Sequence, residues 1–153
     1  MDIAIVGATG NVGRKILEVL EKKELSFDNL HLVASSKSVR KKIKFKGVDH
    51  EIYDLESFDF SRVKICFFAA GGKISEKFAE KAAKNCLVID NSSHFRMDPD
   101  VPLIVPQVNS EDLKTIKKNI VANPNCSTAQ LVIALKPLHD LFSIKRIVVS
   151  TYQ

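Results

Sequence analysis

Ile3-Ala4-Ile5-Val6-Gly7-Ala8-Thr9-Gly10-Asn11-Val12-Gly13 sets an apolar run directly against a turn with glycine at every third position. Beyond it, Val12, Ile16, Leu17, Val19 and Leu20 approximate one helical stripe, with Glu18, Glu21 and Lys22 opposite. The order is strand, glycine turn, helix. In that order the unpaired backbone N–H groups and the positive end of the helix dipole can hold a pyrophosphate. The spacing is G-x-x-G-x-x-G rather than G-x-G-x-x-G, and glycine turns also arise for purely steric reasons, so a bare structural turn stands as the alternative.

Outward from this unit the alternation repeats. Leu30 to Ala34 reads as a second strand, and Ile65 to Ala70 as a continuous apolar strand of the kind a parallel sheet buries on both faces. Ile74 to Lys84 has Phe78, Ala79, Ala82 and Ala83 at helical spacing, and Leu87 to Ile89 is a strand. Glu111 to Lys118 is expected to be a helix, Asn119 to Ala122 a strand, and Ser127 to Phe142 a long helix that Pro137 bends or breaks. Arg146 to Thr151 is expected as a final β-branched strand, which gives the chain the look of one cut at a strand's edge. Between Val39 and Tyr53, alternating Lys42-Ile43-Lys44-Phe45-Lys46, Gly47 and Glu51-Ile52-Tyr53 predict a small antiparallel excursion at the sheet's edge. The class is therefore α/β: a Rossmann-like, open, mostly parallel sheet with helices on both faces, right-handed crossovers and a ligand crevice at the strands' carboxyl ends.

The chain's 153 residues suit one domain. Hydrophobic residues at 45% and charged residues at 27% match globular averages of roughly 45–50% and 25%, excluding disordered, collagenous and disulfide-framework classes. No apolar stretch approaches the roughly 18 residues of a membrane span, and no signal peptide is evident. A formal charge of +5 permits nucleic acid without indicating it, so neither nucleic acid nor membrane is expected as a partner. Cys66, Cys86 and Cys126 have no metal-type spacing and form an odd set, which argues for a reducing cytoplasm. No metal site is expected.

About twenty residues past the glycine turn, where an NAD enzyme places Asp or Glu, the sequence reads Ala34-Ser35-Ser36-Lys37-Ser38. Hydroxyls and a lysine, followed by Arg40, Lys41 and Lys42, suit a 2′-phosphate, so NADP is expected over NAD. A solvated basic hairpin explains Arg40 to Lys46 equally well. The sharpest signal is Asn123-Pro124-Asn125-Cys126-Ser127-Thr128, between a strand and the long helix. A cysteine at a helix N-terminus is activated by the dipole, and the same amides can steady an oxyanion; Cys66 and Cys86, in or beside apolar strands, are expected to be inert. Asp90-Asn91-Ser92-Ser93-His94-Phe95-Arg96 follows a strand into the crevice, where the planar fork of Arg96 can grip phosphate. His94 is either a base or a loop histidine, while His31, His50 and His139 are assigned structural or solvated roles.

Gly7–Gly13, Phe68-Ala-Ala-Gly-Gly72, Asp90–Arg96, Val105-Pro-Gln-Val-Asn109, Asn123–Thr128 and Ser150-Thr-Tyr-Gln153 together resemble bacterial aspartate-semialdehyde dehydrogenases over essentially the whole chain. The resemblance implies an oxidoreductase interconverting 4-aspartyl phosphate and aspartate 4-semialdehyde, with phosphate as co-substrate. The step leads toward diaminopimelate and lysine, threonine, methionine and isoleucine. It implies that Cys126 forms a thiohemiacetal, that hydride passes to or from the nicotinamide, and that phosphate resolves an acyl-thioester. By the same resemblance Arg96 contacts phosphate, Asn125 helps the oxyanion, and Gln153 positions substrate. Gly7, Thr9, Gly10, Asn11 and Val12 form the pyrophosphate loop, Ser35, Lys37 and Ser38 meet the 2′-phosphate, and Gly71 approaches the nicotinamide.

Lys37 stands where the family commonly has arginine, replacing a fork with a point charge; Arg40 can compensate. The family continues past Ser-Thr-Tyr-Gln into a second domain with the general-base histidine, the substrate-carboxylate arginine and most of a homodimer interface. Residues 1–153 then form the NADP-binding domain carrying the nucleophile, expected to bind without turnover. Two alternatives are kept: a non-catalytic nucleotide-binding module, and N-acetyl-glutamyl-phosphate reductase, whose Pro-Gly-Cys-Tyr context differs from Pro-Asn-Cys-Ser here.

Overall fold

Residues 1–23 and 25–152 are described by a computed structural model. Strand β1 (Ile3–Val6) is flanked on one side by β2 (Leu30–Ala34) and on the other by β5 (Ile65–Phe68), both parallel to it. The sheet extends through β4 (Val48–Asp54) to β3 (Lys42–Phe45) at one edge, and through β6 (Leu87–Asp90) to β7 (Ile120–Ala122) at the other, in the order β3-β4-β2-β1-β5-β6-β7. Every pairing is parallel except the β3–β4 hairpin, which is the predicted edge excursion.

Alternation along β1 explains why the sheet needs two covering layers. Ile3 and Ile5 join Leu17 and Leu20 of α1 (Asn11–Lys22), whereas Ala4 and Val6 join Phe78, Ala79 and Ala82 of α2 (Gly72–Ala83). The strand order reverses at β1, because the chain winds from it toward β2 and later toward β5. A parting of the loops at the carboxyl ends follows from that topology.

The turn that feeds α1 depends on missing side chains. A Cβ on Gly13 would sit 2.2 Å from the Gly7 carbonyl oxygen, and one on Gly7, whose φ is +87°, would meet the Ala69 carbonyl oxygen at 2.7 Å. Helix, turn and the β5 loop therefore close directly on one another. The helical stripe differs from expectation: Val12 and Val19 are 49% and 44% exposed, while Gly13, Leu17 and Leu20 are buried. Backbone proximity at Gly13 rotates α1 so that its smallest residue, rather than Val12, faces the turn.

Other boundaries also moved. On β5 only Cys66 and Phe68 are fully buried, and Ile65 and Phe67 are half-buried, so one face is covered more completely than the other. The helix expected over Glu111–Lys118 is instead a short α3 (Pro106–Asn109) followed by 3-10 turns over Ser110–Thr115. That segment carries too few apolar side chains to hold a longer helix against the sheet, and the Thr115 hydroxyl donates back to the Asp112 carbonyl at 2.9 Å. Helix α4 (Cys126–Phe142) continues unbroken through Pro137. Residues Arg146–Thr151 form no strand: among the described residues none pairs its backbone with them. Among the described residues, no helix is long and apolar enough to cross a membrane.

Candidate functional site

A cleft of about 380 Å³ opens at the carboxyl ends of β1, β2 and β5, lined by Gly7, Thr9, Gly10, Ser35, Ala70 and neighbouring apolar side chains. Gly10 is the N-cap of α1 with extended backbone and no side chain capping the first turn, so the N–H groups beginning at Asn11 are presented without a side-chain acceptor. The absence of a Cβ at Gly10 and the apolar floor fit the pyrophosphate and nicotinamide ends of a dinucleotide. Lys37 and the largely buried Ser38 follow on a 3-10 turn over Ser36–Ser38, one turn beyond the cleft lining. The structure also brings up a carboxylate that sequence spacing did not: Asp54 is in register with Ala34, and its Oδ1 accepts the Glu56 N–H at 3.2 Å. The signal was absent because Asp54 lies twenty residues further along the chain, on a strand whose pairing is tertiary.

The second half of the site is a polar knot between the ends of β6 and β7. Asn91 donates from Nδ2 to the Phe68 carbonyl at 3.3 Å and accepts at Oδ1 from Asn123 Nδ2 at 2.9 Å. Arg96 donates from Nε to the Asn123 carbonyl at 3.0 Å and from Nη2 to the Asn91 carbonyl at 3.2 Å. Two of the guanidinium's five N–H donors are thus spent on holding its plane across both loops. Three residues after Asn123, Cys126 is the first residue of α4 and is exposed. Asn125 is the N-cap, accepting the Ser127 N–H at 2.9 Å through Oδ1. Its carboxamide oxygen is therefore committed to shaping the helix start beside the sulfur.

Gly71, with φ +86°, is the N-cap of α2 and directly follows the cleft residue Ala70. Gly72 lies against Ser93 and His94, so the loop that opens α2 abuts the Arg96 loop. His94 is exposed, its ring edge-on to Phe95 at 4.5 Å. The expected inert thiols are buried: Cys66 lies in β5, where burial pushes its thiol up, and Cys86 donates to the Ala82 carbonyl at 3.3 Å. Gln153 lies outside the described residues. His31, His50 and His139 fall on β2, β4 and α4.

A larger cavity, about 550 Å³, is lined by Asp2, His31, His50, Tyr53 and Arg62, remote from the carboxyl ends where these groups converge. No group of metal-ligating side chains occurs among the described residues. Sequence reasoning gave Asn91 and Asn123 no individual role, although both stood in quoted motifs, because their bonds to Phe68, to each other and to Arg96 join loops that only the tertiary structure brings together.

Residues 2–116 match the model of the semialdehyde dehydrogenase NAD-binding domain. The chain is 54% identical to the aspartate-semialdehyde dehydrogenase of Aquifex aeolicus, over 99% of this chain and 45% of that one. It resembles the crystal structure of aspartate semialdehyde dehydrogenase II complexed with ASA from Vibrio cholerae, with TM-score 0.88 and 49% identity, over 91% of this chain and 46% of that one. It also resembles aspartate semialdehyde dehydrogenase with NADP from Candida albicans, with TM-score 0.73 and 29% identity, over 94% and 48%. The chain spans about half the length of the relatives it matches.

Proposed function

Because the chain belongs to the semialdehyde dehydrogenase family, whose NAD-binding domain matches its residues 2–116, we propose that it is the nucleotide- and nucleophile-bearing portion of an NADP-dependent aspartate-semialdehyde dehydrogenase. The carrying observation is the exposed Cys126 at the start of α4, three residues from the backbone carbonyl that holds Arg96. Fold likeness alone would support a nucleotide-binding module; a nucleophile beside a clamped arginine supports phosphorylating acyl chemistry.

In the oxidative direction the Cys126 sulfur attacks the aldehyde carbon of aspartate 4-semialdehyde, forming a C–S bond. The amides at the start of α4 face the resulting oxyanion. Loss of hydride leaves an acyl-thioester on Cys126. Phosphate, gripped by Arg96, then attacks the carbonyl carbon, the C–S bond breaks, and 4-aspartyl phosphate departs with the thiolate restored. Biosynthesis runs these steps in reverse, toward lysine, threonine, methionine and isoleucine. NADP supplies or accepts the hydride when bound.

Gly7, Thr9, Gly10, Asn11 and Val12 are assigned to its pyrophosphate, Ser35, Lys37 and Ser38 to its 2′-phosphate, and Gly71 to the nicotinamide side. The preference for NADP is supported by the cationic Lys37 and the lack of a carboxylate in Ser35–Ser38. It is also supported by the NADP bound to the Candida albicans relative. Asn125 and Gln153 are assigned to oxyanion and substrate positioning. The complete enzyme is read as a cytoplasmic homodimer whose general base lies beyond residue 153, so these residues alone bind without appreciable turnover.

Titration of the chain with NADP and NAD, followed by iodoacetamide labelling at neutral pH and peptide mass mapping, tests the reading. Tighter NADP binding and first labelling at Cys126 are expected. Equal or reversed nucleotide affinities refute the cofactor assignment, and first labelling at Cys66 or Cys86 refutes the nucleophile.

A further inference from the structure

Asp90 ends β6 with no exposed surface, and among the described residues no lysine, arginine or histidine forms an ion pair with it. A buried carboxyl group without a cation is unfavourable unless hydrogen bonds replace its water. Three donors do so here. Ser75 Oγ of α2, itself fully buried, donates to Oδ1 at 2.7 Å. The Ser92 backbone N–H donates to the same oxygen at 3.1 Å, and Ser92 Oγ donates to Oδ2 at 2.7 Å. Ser92 Oγ in turn accepts the His94 N–H at 3.1 Å.

The same residue's main chain faces the nucleophile side. The Asp90 carbonyl accepts the Asn123 N–H at 2.8 Å, and Asp90 pairs in register with Ala122. Asn123 and Asn91, which flank this contact, are the two residues whose carbonyls hold Arg96. An Asx-type turn at Asp90 would need only the Ser92 bonds. The Ser75 bond does something further: it ties the turn carrying Arg96 to α2, the helix whose N-cap is Gly71.

We propose that Asp90 is a positioning residue that fixes the Arg96 guanidinium through Ser92 and Asn91, and that Ser75 locks this arrangement to the helix opening at Gly71. This rests on the reading of Arg96 as the phosphate contact. The side-chain bonds set where the Asn91 carbonyl lies, and the guanidinium plane follows from two carbonyls rather than one. Loss of either serine hydroxyl leaves an acceptor on Asp90 unfilled and loosens that plane without removing any group from Arg96 or Cys126.

The test is the exchange rate of the Arg96 Nε–H proton, followed by ¹H–¹⁵N NMR in the 153-residue chain and in Asp90→Asn, Ser75→Ala and Ser92→Ala. Asp90→Asn keeps the shape and replaces one acceptor with a donor, while each serine variant deletes one atom, so the claim stays decidable if one of them fails to fold. Exchange about tenfold faster than in the unaltered chain is expected, the scale of one weakened hydrogen bond, with the amides of Val33 and Ile120 unchanged. Unchanged Arg96 exchange in the folded variants overturns the proposal, as does acceleration that merely parallels the core amides. Inorganic phosphate titrated into the unaltered chain separates the two readings. If it fails to shift the Arg96 Nε–H signal, the phosphate role fails, while the exchange comparison still decides whether Asp90 positions the side chain.

Discussion

At the glycine turn the backbone leaves no room for one added atom at Gly13. A Cβ at position 13 would fall 2.2 Å from one backbone oxygen and 2.8 Å from the Ala8 Cα, and neither neighbour is the far end of a flexible side chain. Gly13→Ala is therefore expected to destabilise the chain by about 3 kcal/mol or to displace α1, in the range of overpacked cores. Urea unfolding measures the loss, and an unchanged midpoint would contradict the close approach. Cys126 makes the opposite case. Its helix-start position was readable from Asn123–Thr128, because capping by Asn125 is a local interaction between residues two apart, whereas its exposure came from the structure. Asp90 and Ser75 were not readable, since fifteen residues separate partners that only the stacking of α2 on β6 brings within 2.7 Å.

Among the elements, the loop over 98–100 and the turn before β7 are joined by two ion pairs, Lys118 with Asp98 and Lys117 with Asp100, each at 2.9 Å. The Lys118 ammonium, helped by the Asp100 N–H, holds the Asp98 carboxyl below its ordinary 3.8. Because the folded value is depressed, the stabilisation is present above the unfolded value and disappears as pH falls through the folded one. Thermal melts of Lys118→Met are expected to lose Tm near neutrality and to show a shallower decline below about pH 4 than the unaltered chain. Parallel curves would show that the pair contributes nothing. On α1, Glu18 is held at about 2 by Lys15 and Lys22, a pattern visible in sequence as i−3 and i+4 neighbours. The helix expected over Glu111–Lys118 differs because Leu113 and Ile116 mimic part of a helical period that the 3-10 turns over Ser110–Thr115 do not continue. The expected Arg146–Thr151 strand failed for another reason: β-branched composition favours extension, but a strand exists only where a partner offers its backbone groups.

Across the whole molecule, α4 contains no buried residue, and Leu141 and Phe142 at its end are 75% and 74% exposed. Adjacent exposed apolar side chains lower solubility. Replacing Leu141 and Phe142 with serine is expected to lower light scattering at high concentration while leaving the melting temperature nearly unchanged; undiminished scattering would place the association elsewhere. The sequence by itself determined the winding of the sheet, the position of the cleft and the candidate nucleophile. Those features follow from periodicity, from glycines in a short turn and from a cap, all interactions within a few residues. Tertiary structure alone decided which face of α1 is buried, that Asp54 stands beside Ala34, and that one buried carboxyl ties α2 to the Arg96 turn while its own main chain pairs with β7. Each of these depends on strands and helices far apart in the chain arriving at the same few ångströms, and no local pattern encodes that meeting.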